Sequence, residues 1–338
     1  MNQHPIGTTA KIRFLSVVVA IFTALVVHQR AFADIPPFSQ GELLVLDSDA
    51  SQGKGLLFQV DPNTGVATSI GSGFGAEPRS LVLQSPTSLL AADATLTNIY
   101  KLSLSTGTWA SILTPPFQLH FPSGAMLPDS DHSVLVASGG GNIYRVDTIS
   151  GQAALYSGNS TLNPWGMARL PDGSLLVGDE GDGELRRVFP DGTFSIVSTG
   201  NLLHSIWAVE ALPDGTVAVG NTTENGIGSI VRISLQDGSQ SYLTPPGSFQ
   251  QVNGMNIAPD GNLLVADGSG GLHHAGIYEV NLSSGQITTV STDSKFGTPV
   301  AVMYVDLPEP SAPGLSAIAM GLFLLRRRSR NSSRANIL

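Results

Sequence analysis

Polar and aromatic side chains of the kinds that bind ligands recur in this chain at or just ahead of short apolar segments. Carboxylate, amide, imidazole and indole groups in such places are suited to a polar ligand or a metal ion. The candidate binding residues are Glu77, Arg79, His120, Asn163, Trp165, His204, Trp207 and Asn253. The two tryptophans have a competing interpretation, because an indole at the junction of two sheets often packs between them instead of stacking on a ligand.

Other groups of suggestive chemistry favour solvated loops. His273 and His274 lie in a glycine-rich stretch, whereas a metal histidine needs converging partners. The acidic segments 47–51 and 179–184 lack the glutamate of an EF-hand loop. Gly-X-Ser-X-Gly, His-Glu-X-X-His and phosphate-loop motifs are missing, and the lack of cysteine excludes disulfides, thiolate zinc sites and cysteine nucleophiles. No catalytic residue is assigned.

The elements that must position the candidates follow a repeat of about 44 residues. Each copy contains a hairpin turn that ends in glycine, which supplies the positive φ of a tight turn. The turn glycines are Gly65, Gly107, Gly151, Gly192, Gly238 and Gly285. Runs of four to six residues between turns are typical of strands. The pattern predicts an all-β fold, a six-bladed β-propeller with four antiparallel strands in each blade.

The two ends of the repeat array predict how the ring closes. The first copy begins at residues 41–47, which correspond to a second strand, and its missing first strand is found at 300–306. The C-terminal strand is therefore expected to join the first blade and complete a domain over 34–306. A solenoid is the alternative, but the split first repeat favours a closed ring.

Loop lengths predict which face of the ring binds ligands. The first and third turns of each blade are short and uniform, whereas the second turns and the connections between blades are longer and varied. Length variation on one face of a repeat protein marks the usual binding face. Residues that precede the inner strands should point to the central channel there. They are Ser80, Pro122, Trp165, Trp207 and Asn253.

The N-terminal segment 1–33 has the features of a secretory signal peptide. Lys11 and Arg13 precede an apolar run at 14–27, and the small-residue sequence Ala-Phe-Ala at 31–33 follows. The apolar run is too short to span a bilayer of about 30 Å comfortably. The segment therefore predicts export and cleavage by a signal peptidase near Asp34.

The C-terminal segment 307–330 resembles a PEP-CTERM sorting signal of exported bacterial proteins. The resemblance rests on Pro308, Glu309 and Pro310, the apolar run 312–325, and an arginine cluster. The cluster contains Arg326, Arg327, Arg328 and Arg330, and a tail at 331–338 follows it. The resemblance implies transient anchoring in the inner membrane, then transfer by an exosortase-type transpeptidase to the cell surface or matrix. A plain transmembrane anchor is the alternative.

Charge restricts the class of partner. Eight of the 17 basic residues lie in the two tails, whereas all 26 acidic residues lie within 34–310, so this body carries a formal charge of −17. Such a field repels nucleic acid and anionic lipid. Cations, sugars and basic proteins remain as partner classes, among them an extracellular polysaccharide or a surface protein.

The repeat also resembles known propellers. The segment 253–268 is similar to the repeats of NHL, gluconolactonase-like (senescence marker protein) and virginiamycin-B-lyase-like proteins. In the gluconolactonase-like family, the resemblance implies a divalent cation in the channel, calcium or zinc, with Glu77 and Asn253 as ligands. Trp165 and Trp207, which stand at the equivalent positions of copies four and five, cannot be ligands, so the ligand set is incomplete.

These observations lead to one principal hypothesis and two alternatives. The principal hypothesis is an exported, surface- or matrix-associated propeller that binds a sugar, metal or protein ligand without catalysis. The first alternative is a metal-dependent hydrolase or lyase of the gluconolactonase-like class. The second alternative is a structural component of an extracellular matrix.

Overall fold

The computed structural model describes residues 35–49, 55–72, 75, 77–115, 117–120, 124–158, 162–268 and 274–306. Over these residues the chain forms 24 strands in six blades of four antiparallel strands each, arranged in a propeller ring. The predicted six-bladed all-β fold is therefore confirmed.

The ends of the chain, where the targeting signals were predicted, lie outside the described residues. This applies to the segments 1–33, 307–330 and 331–338. In the part of the chain that the structure describes, no helix is long and apolar enough to cross a membrane.

Blades 1 to 3 take up the first half of the ring. Blade 1 contains β1 (Leu43–Asp47), β2 (Leu56–Val60), β3 (Ala67–Ser72) and the last strand, β24 (Pro299–Tyr304). Blade 2 contains β4 (Pro78–Ser85), β5 (Ser88–Asp93), β6 (Asn98–Ser103) and β7 (Thr108–Ser111). Blade 3 contains β8 (Met126–Ser130), β9 (Ser133–Ser138), β10 (Asn142–Asp147) and β11 (Ala153–Gly158).

In blades 4 to 6 the four strands follow one another in sequence from the channel to the rim. Blade 4 contains β12 (Pro164–Arg169), β13 (Leu175–Asp179), β14 (Glu184–Val188) and β15 (Phe194–Thr199). Blade 5 contains β16 (Ser205–Ala211), β17 (Thr216–Thr222), β18 (Gly228–Ser234) and β19 (Gln240–Phe249). Blade 6 contains β20 (Val252–Ile257), β21 (Leu263–Asp267), β22 (Gly276–Val280) and β23 (Ile287–Ser291).

The ring closes through the pairing of β24 with β1. The register runs from Leu43 opposite Tyr304 to Leu46 opposite Ala301, so the inner strand of blade 1 comes from the far end of the chain. The predicted closing strand over 300–306 is confirmed, with its bounds shifted to Pro299–Tyr304. Closure pairs the inner edge of β1, which would otherwise be open to solvent.

Short hairpins join the strands on one face because their sequences fix the turn locally. In the turn that links β12 to β13, Asp172 Oδ1 accepts the backbone N–H of Ser174 at 3.0 Å. Gly173 adopts φ of 85°, a conformation that favours glycine. The same Pro-Asp-Gly sequence recurs in the corresponding turns of blades 5 and 6, at 213–215 and 259–261.

The hydrophobic core lies between neighbouring blades. Second strands such as β1, β9 and β13 are buried along their whole length. One core cluster joins Leu135 and Ala137 of blade 3 to Leu175 and Val177 of blade 4. Burial of each such leucine or valine contributes roughly 1.5–3 kcal/mol, so the blades are rigidly packed supports for the loops above them.

Each second strand carries a buried polar residue at or next to its end, on the face with the longer loops. We call these the latch residues; they are Asp47, Asp93, Ser138, Asp179, Asn221 and Asp267. All six are at most 1% exposed. Such burial is tolerated when the polar atoms are hydrogen-bonded.

Five latch residues bind the backbone that leads into an inner strand, whereas Asp93 Oδ1 accepts the N–H of Leu96, in the turn after β5, at 2.8 Å. Asp47 accepts the N–H groups of Gly297 and Thr298, both at 3.0 Å. Asn221 accepts the N–H of His204 at 2.7 Å and donates to the carbonyl of Leu202 at 2.9 Å. Burial raises the pKa of the Asp47 carboxyl, although these backbone N–H groups oppose the shift. Each latch thus ties a loop of the long-loop face to the core of its own blade.

Candidate functional site

The inner strands meet around the central channel, and one residue from each blade forms a ring at the long-loop end. We call this the mouth ring; it contains Arg79, Gly124, Trp165, Trp207, Asn253 and Val300. These six residues surround a small cavity of about 10 Å³, room for about one water molecule.

Most mouth-ring residues lie at β-bulges. The register shifts between Pro78 and Ser80, between Ile206 and Ala208, and between Val252 and Gly254. Arg79, Trp207 and Asn253 are the residues skipped by the ladder, and the shifts in β12 and β24 include Trp165 and Val300. A bulge re-aims the side chain that it carries, so these irregularities direct side chains to the mouth.

Three of the five residues that the sequence predicts at the channel mouth lie in the mouth ring. Trp165, Trp207 and Asn253 belong to the ring. Ser80 is buried one residue deeper, and Arg79 takes the ring position in blade 2. Pro122 lies outside the described residues, as does His273.

An aromatic pair and a guanidinium form one side of the mouth. The ring centroids of Trp165 and Trp207 are 4.4 Å apart with an interplanar angle of 63°. The guanidinium carbon of Arg79 lies 5.1 Å from the Trp165 ring centroid, in the range of a cation–π contact. The two tryptophans therefore pack between blades 4 and 5 and also line the mouth cavity, so the structure is compatible with both a packing role and a binding role.

Three N–H donors at the mouth have no hydrogen-bond partner among the described residues. They are Arg79 Nε, Trp165 Nε1 and Trp207 Nε1, all three buried. Leaving a buried donor unpaired costs about 1–3 kcal/mol. All three belong to residues that line the same small cavity, which is large enough for about one oxygen atom.

Asn253 and Gly124 fix the rest of the ring. Asn253 Nδ2 donates to the carbonyl of Pro299 at 3.0 Å, which ties blade 6 to the inner strand of blade 1. A Cβ atom added at Gly124 would lie 2.2 Å from the carbonyl oxygen of Trp165. Only glycine fits there, because the backbone of blade 4 approaches so closely.

The metal ion implied by the gluconolactonase-like resemblance does not fit this donor set. The Glu77 side chain is 45% exposed and lies 3.7 Å from the Arg79 guanidinium, which already provides a positive charge. Asn253 can offer a metal only its neutral Oδ1, because Nδ2 is bound to a carbonyl, and Trp165 and Trp207 offer no ligand atom. In the part of the chain that the structure describes, no cluster of three or more His, Asp or Glu residues could hold a metal ion.

The remaining candidates lie on the long-loop face outside the mouth ring. Asn163 Nδ2 donates to Glu180 Oε2 at 2.7 Å. His204 Nε2 lies 3.3 Å from Glu224 Oε1, and both side chains are exposed. The backbone N–H of His120 is bound by the latch residue Ser138 at 3.0 Å. The structure therefore does not bring these three residues together with the aromatic pair.

The channel as a whole, lined at one end by the mouth ring, has a volume of about 320 Å³. The next residue of each inner strand is small, because neighbouring inner strands approach backbone to backbone. These residues are Ser80, Ala125, Gly166, Ala208, Gly254 and Ala301. A Cβ atom at Gly166 would lie only 2.7 Å from the backbone of Ala208, for example.

Sequence reasoning missed one residue of the channel wall, Glu210 on β16. The corresponding positions of the other blades hold Val82, Leu127, Ala168, Asn256 and Met303. Burial raises the pKa of the Glu210 carboxyl to about 8. A glutamate inside an otherwise apolar inner strand, Ile-Trp-Ala-Val-Glu-Ala at 206–211, was the available signal.

Comparisons with known proteins support the fold and no finer identity. No protein-family model matches the chain, and no curated protein is significantly similar in sequence. A chain of a nidogen/laminin complex has a TM-score of 0.60 at 16% identity, covering 78% of this chain and 97% of its own. A protein of unknown function from Bacteroides caccae has a TM-score of 0.58 at 17% identity, with coverage of 78% and 98%.

A third structural neighbour is an enzyme. An inactive variant of virginiamycin B lyase from Staphylococcus aureus, solved with quinupristin, has a TM-score of 0.51 at 17% identity. The match covers 67% of this chain and 73% of the lyase. Neighbours of these classes share the ring architecture, and the same fold supports many unrelated functions.

Proposed function

We propose that this protein is an exported propeller that binds a carbohydrate at the mouth ring without catalysis. The observation that carries the proposal is the set of unpartnered donors, Arg79 Nε, Trp165 Nε1 and Trp207 Nε1, around one small cavity. The proposal of export and of association with the cell surface or matrix rests on the predicted signal peptide at 1–33 and the predicted sorting signal at 307–330.

Carbohydrate chemistry matches the mouth in two ways. A sugar hydroxyl or ring oxygen accepts hydrogen bonds and is the size of atom that the cavity admits. The partly exposed Trp165–Trp207 pair offers apolar surface to the C–H face of a sugar ring. Recognition by a few fixed polar groups beside aromatic surface is the usual design of a small-molecule site.

The charge of the body favours neutral sugars over polyanions. The body at 34–310 carries −17, and Arg79 is the only mouth-ring residue with a positive charge. Long anionic chains would be repelled over most of the surface. We therefore expect neutral polysaccharide segments to bind, with one oxygen in the mouth cavity.

The experiment is a glycan-array screen of the purified protein, followed by calorimetry with the best neutral oligosaccharide. Trp165→Phe and Trp207→Phe keep an aromatic ring but remove the N–H donor. Each should weaken binding about two- to tenfold, the value of one hydrogen bond. Trp109→Phe makes the same change on β7, in the outer strand of blade 2, and should leave affinity unchanged.

The possible results of this experiment lead to different conclusions about the mouth ring. Equal losses in all three variants would indicate a general packing defect, and unchanged affinity in both mouth variants would remove the mouth ring as the site. Binding of no glycan on the array would refute the carbohydrate proposal itself.

A further inference from the structure

The channel below the mouth contains a carboxyl group that the mouth ring does not use. Glu210 lies on β16 three residues beyond Trp207, nearer to the short-hairpin face. Its register partner is Ala218 on β17, so it lies one position before Ala211, where the pairing of the two strands ends. The residue is part of the wall of the 320 Å³ channel.

The carboxyl group has no hydrogen-bond or ion-pair partner among the described residues. The charged or titratable groups on the other inner strands, on β13 and just beyond β24 are Arg79, Asp129, Arg169, Asp179, Tyr304 and Asp306. The cation on the inner strand of blade 4, Arg169, pairs with Asp129 at 2.8 Å. The adjoining strands β17 and β20 contain no charged residue.

The surroundings of Glu210 combine apolar, partly adaptable side chains with Asn256 of the neighbouring blade, whose Oδ1 accepts the backbone N–H of Tyr304 at 3.0 Å. The channel wall includes Leu127, Val209, Met255 and Met303. Methionine side chains are flexible and polarisable, so they adjust to the shape of an apolar ligand. A carboxylate in such a space gains most from a cation that also brings apolar surface, since an inorganic ion would have to exchange its water for one carboxylate.

We propose that the channel binds an organic primary ammonium ion with an apolar body, whose ammonium group pairs with the Glu210 carboxylate. The alkyl part would lie along the methionine and aliphatic wall. The acidic body attracts cations, and exposed Asp306 lies at the hairpin-face end of the channel. Glu210 lies three residues along β16 from Trp207, in the same cavity that the mouth ring lines at its other end, and this proposal does not depend on the carbohydrate proposal.

Binding of such a cation must depend on pH in one direction. The carboxyl is largely protonated at neutral pH because burial raises its pKa to about 8, whereas a primary alkylammonium stays charged well above that. An ammonium ligand binds the ionised form, so each binding event releases a proton below pH 8. The affinity should rise roughly tenfold per pH unit below 8 and level off above it.

The test is isothermal titration calorimetry of the full chain with n-hexylammonium chloride between pH 6 and pH 9. One site is expected, with the pH dependence above. At pH 7, titrations in two buffers of different ionisation enthalpy should reveal close to one proton released per ligand. This measurement needs no variant, so it remains decisive even if substitutions in the channel prevent folding.

Variants and probe analogues sharpen the result. Glu210→Gln keeps the size of the side chain and should weaken hexylammonium binding about tenfold or more at pH 9 while abolishing the pH dependence. Glu224→Gln removes an exposed carboxyl on the other face and should change nothing. Binding of n-hexanol as tight as that of hexylammonium, or an affinity independent of pH, would overturn the proposal.

Trp165→Phe and Trp207→Phe separate the two sites. They should leave hexylammonium binding intact, and Glu210→Gln should leave glycan binding intact. Loss of hexylammonium binding in the mouth variants would place the ligand at the mouth and contradict a site at Glu210.

Discussion

Replacement of the latch residue Asn221 by alanine tests how the long loops are attached to the ring. Asn221 is 0% exposed. Its Oδ1 accepts the N–H groups of His204 at 2.7 Å and Ser205 at 3.3 Å, and its Nδ2 donates to the carbonyl of Leu202 at 2.9 Å. Asn221→Ala removes all three hydrogen bonds just ahead of Trp207.

The expected cost follows from the groups left without partners. A backbone group that loses its hydrogen bond costs about 1–3 kcal/mol when it is buried, and the three groups bound by Asn221 are part-buried. The 3.3 Å bond to Ser205 is the weakest of the three, and water can replace part of it because Ser205 is partly exposed. Asn221→Ala should therefore lower the free energy of unfolding by about 3–4 kcal/mol.

Equilibrium unfolding in urea measures this change. The midpoint should fall while the slope against urea stays the same, because the surface exposed on unfolding is nearly unchanged. Asn63→Ala is the matched control, since Asn63 lies exposed in a hairpin turn, and it should change stability by less than about 0.5 kcal/mol.

The contrary result is equally specific. A loss below about 1 kcal/mol for Asn221→Ala would mean that the loop keeps its hydrogen bonds by another route, and the latch would not be what holds it. Asn221→Asp adds a second test. A carboxylate can accept both N–H groups but cannot donate to Leu202, so this variant should lie between the wild type and alanine.

Three further outcomes are expected. Truncation before Pro299 removes β24 and exposes the edge of β1 and part of the core of blade 1, so the protein should aggregate. A soluble monomer with an unchanged melting temperature would contradict closure by this strand. Glu210→Gln should stabilise the protein increasingly as pH rises. Burial raises the pKa of the Glu210 carboxyl from its usual value of 4.5 to about 8, so the ionised group destabilises the fold progressively above its unfolded pKa and fully above pH 8. At pH 9 the gain over wild type should be about 2–4 kcal/mol in urea unfolding, and a gain that is the same at pH 4 would refute the assignment. In the native host, intact-mass spectrometry of exported material should find a start near Asp34 and no residues beyond the Pro308–Pro310 motif, whereas retention of Arg326–Arg328 would favour a plain anchor.

The repeat and the closing strand could be predicted because their causes are local. Turn sequences such as Pro-Asp-Gly at 171–173 set the chain reversal, and the spacing of turns sets the number of strands. The latch residues also leave a local signal, since four or five apolar residues precede a polar one, as in Leu-Leu-Val-Ala-Asp at 263–267.

The mouth ring was harder to predict because it depends on bulges. A bulge adds one residue without changing the alternation on either side, so the sequence does not decide between Arg79 and Ser80 as the residue at the mouth. The packing of Trp165 on Trp207 also needs the distance between blades 4 and 5. Glu210 was missed since one acidic residue in an inner strand does not disturb the repeat.

The latches also bear on how this scaffold can change its specificity. Asp179 binds the backbone of Asn163 at 3.2 Å, and Asp267 does the same for Gln251 at 3.0 Å, both close to the start of an inner strand. Loop tips can therefore be lengthened, shortened or exchanged between blades while the aromatic pair keeps its geometry, and diversity in ligand choice can accumulate on one face at little cost to the ring.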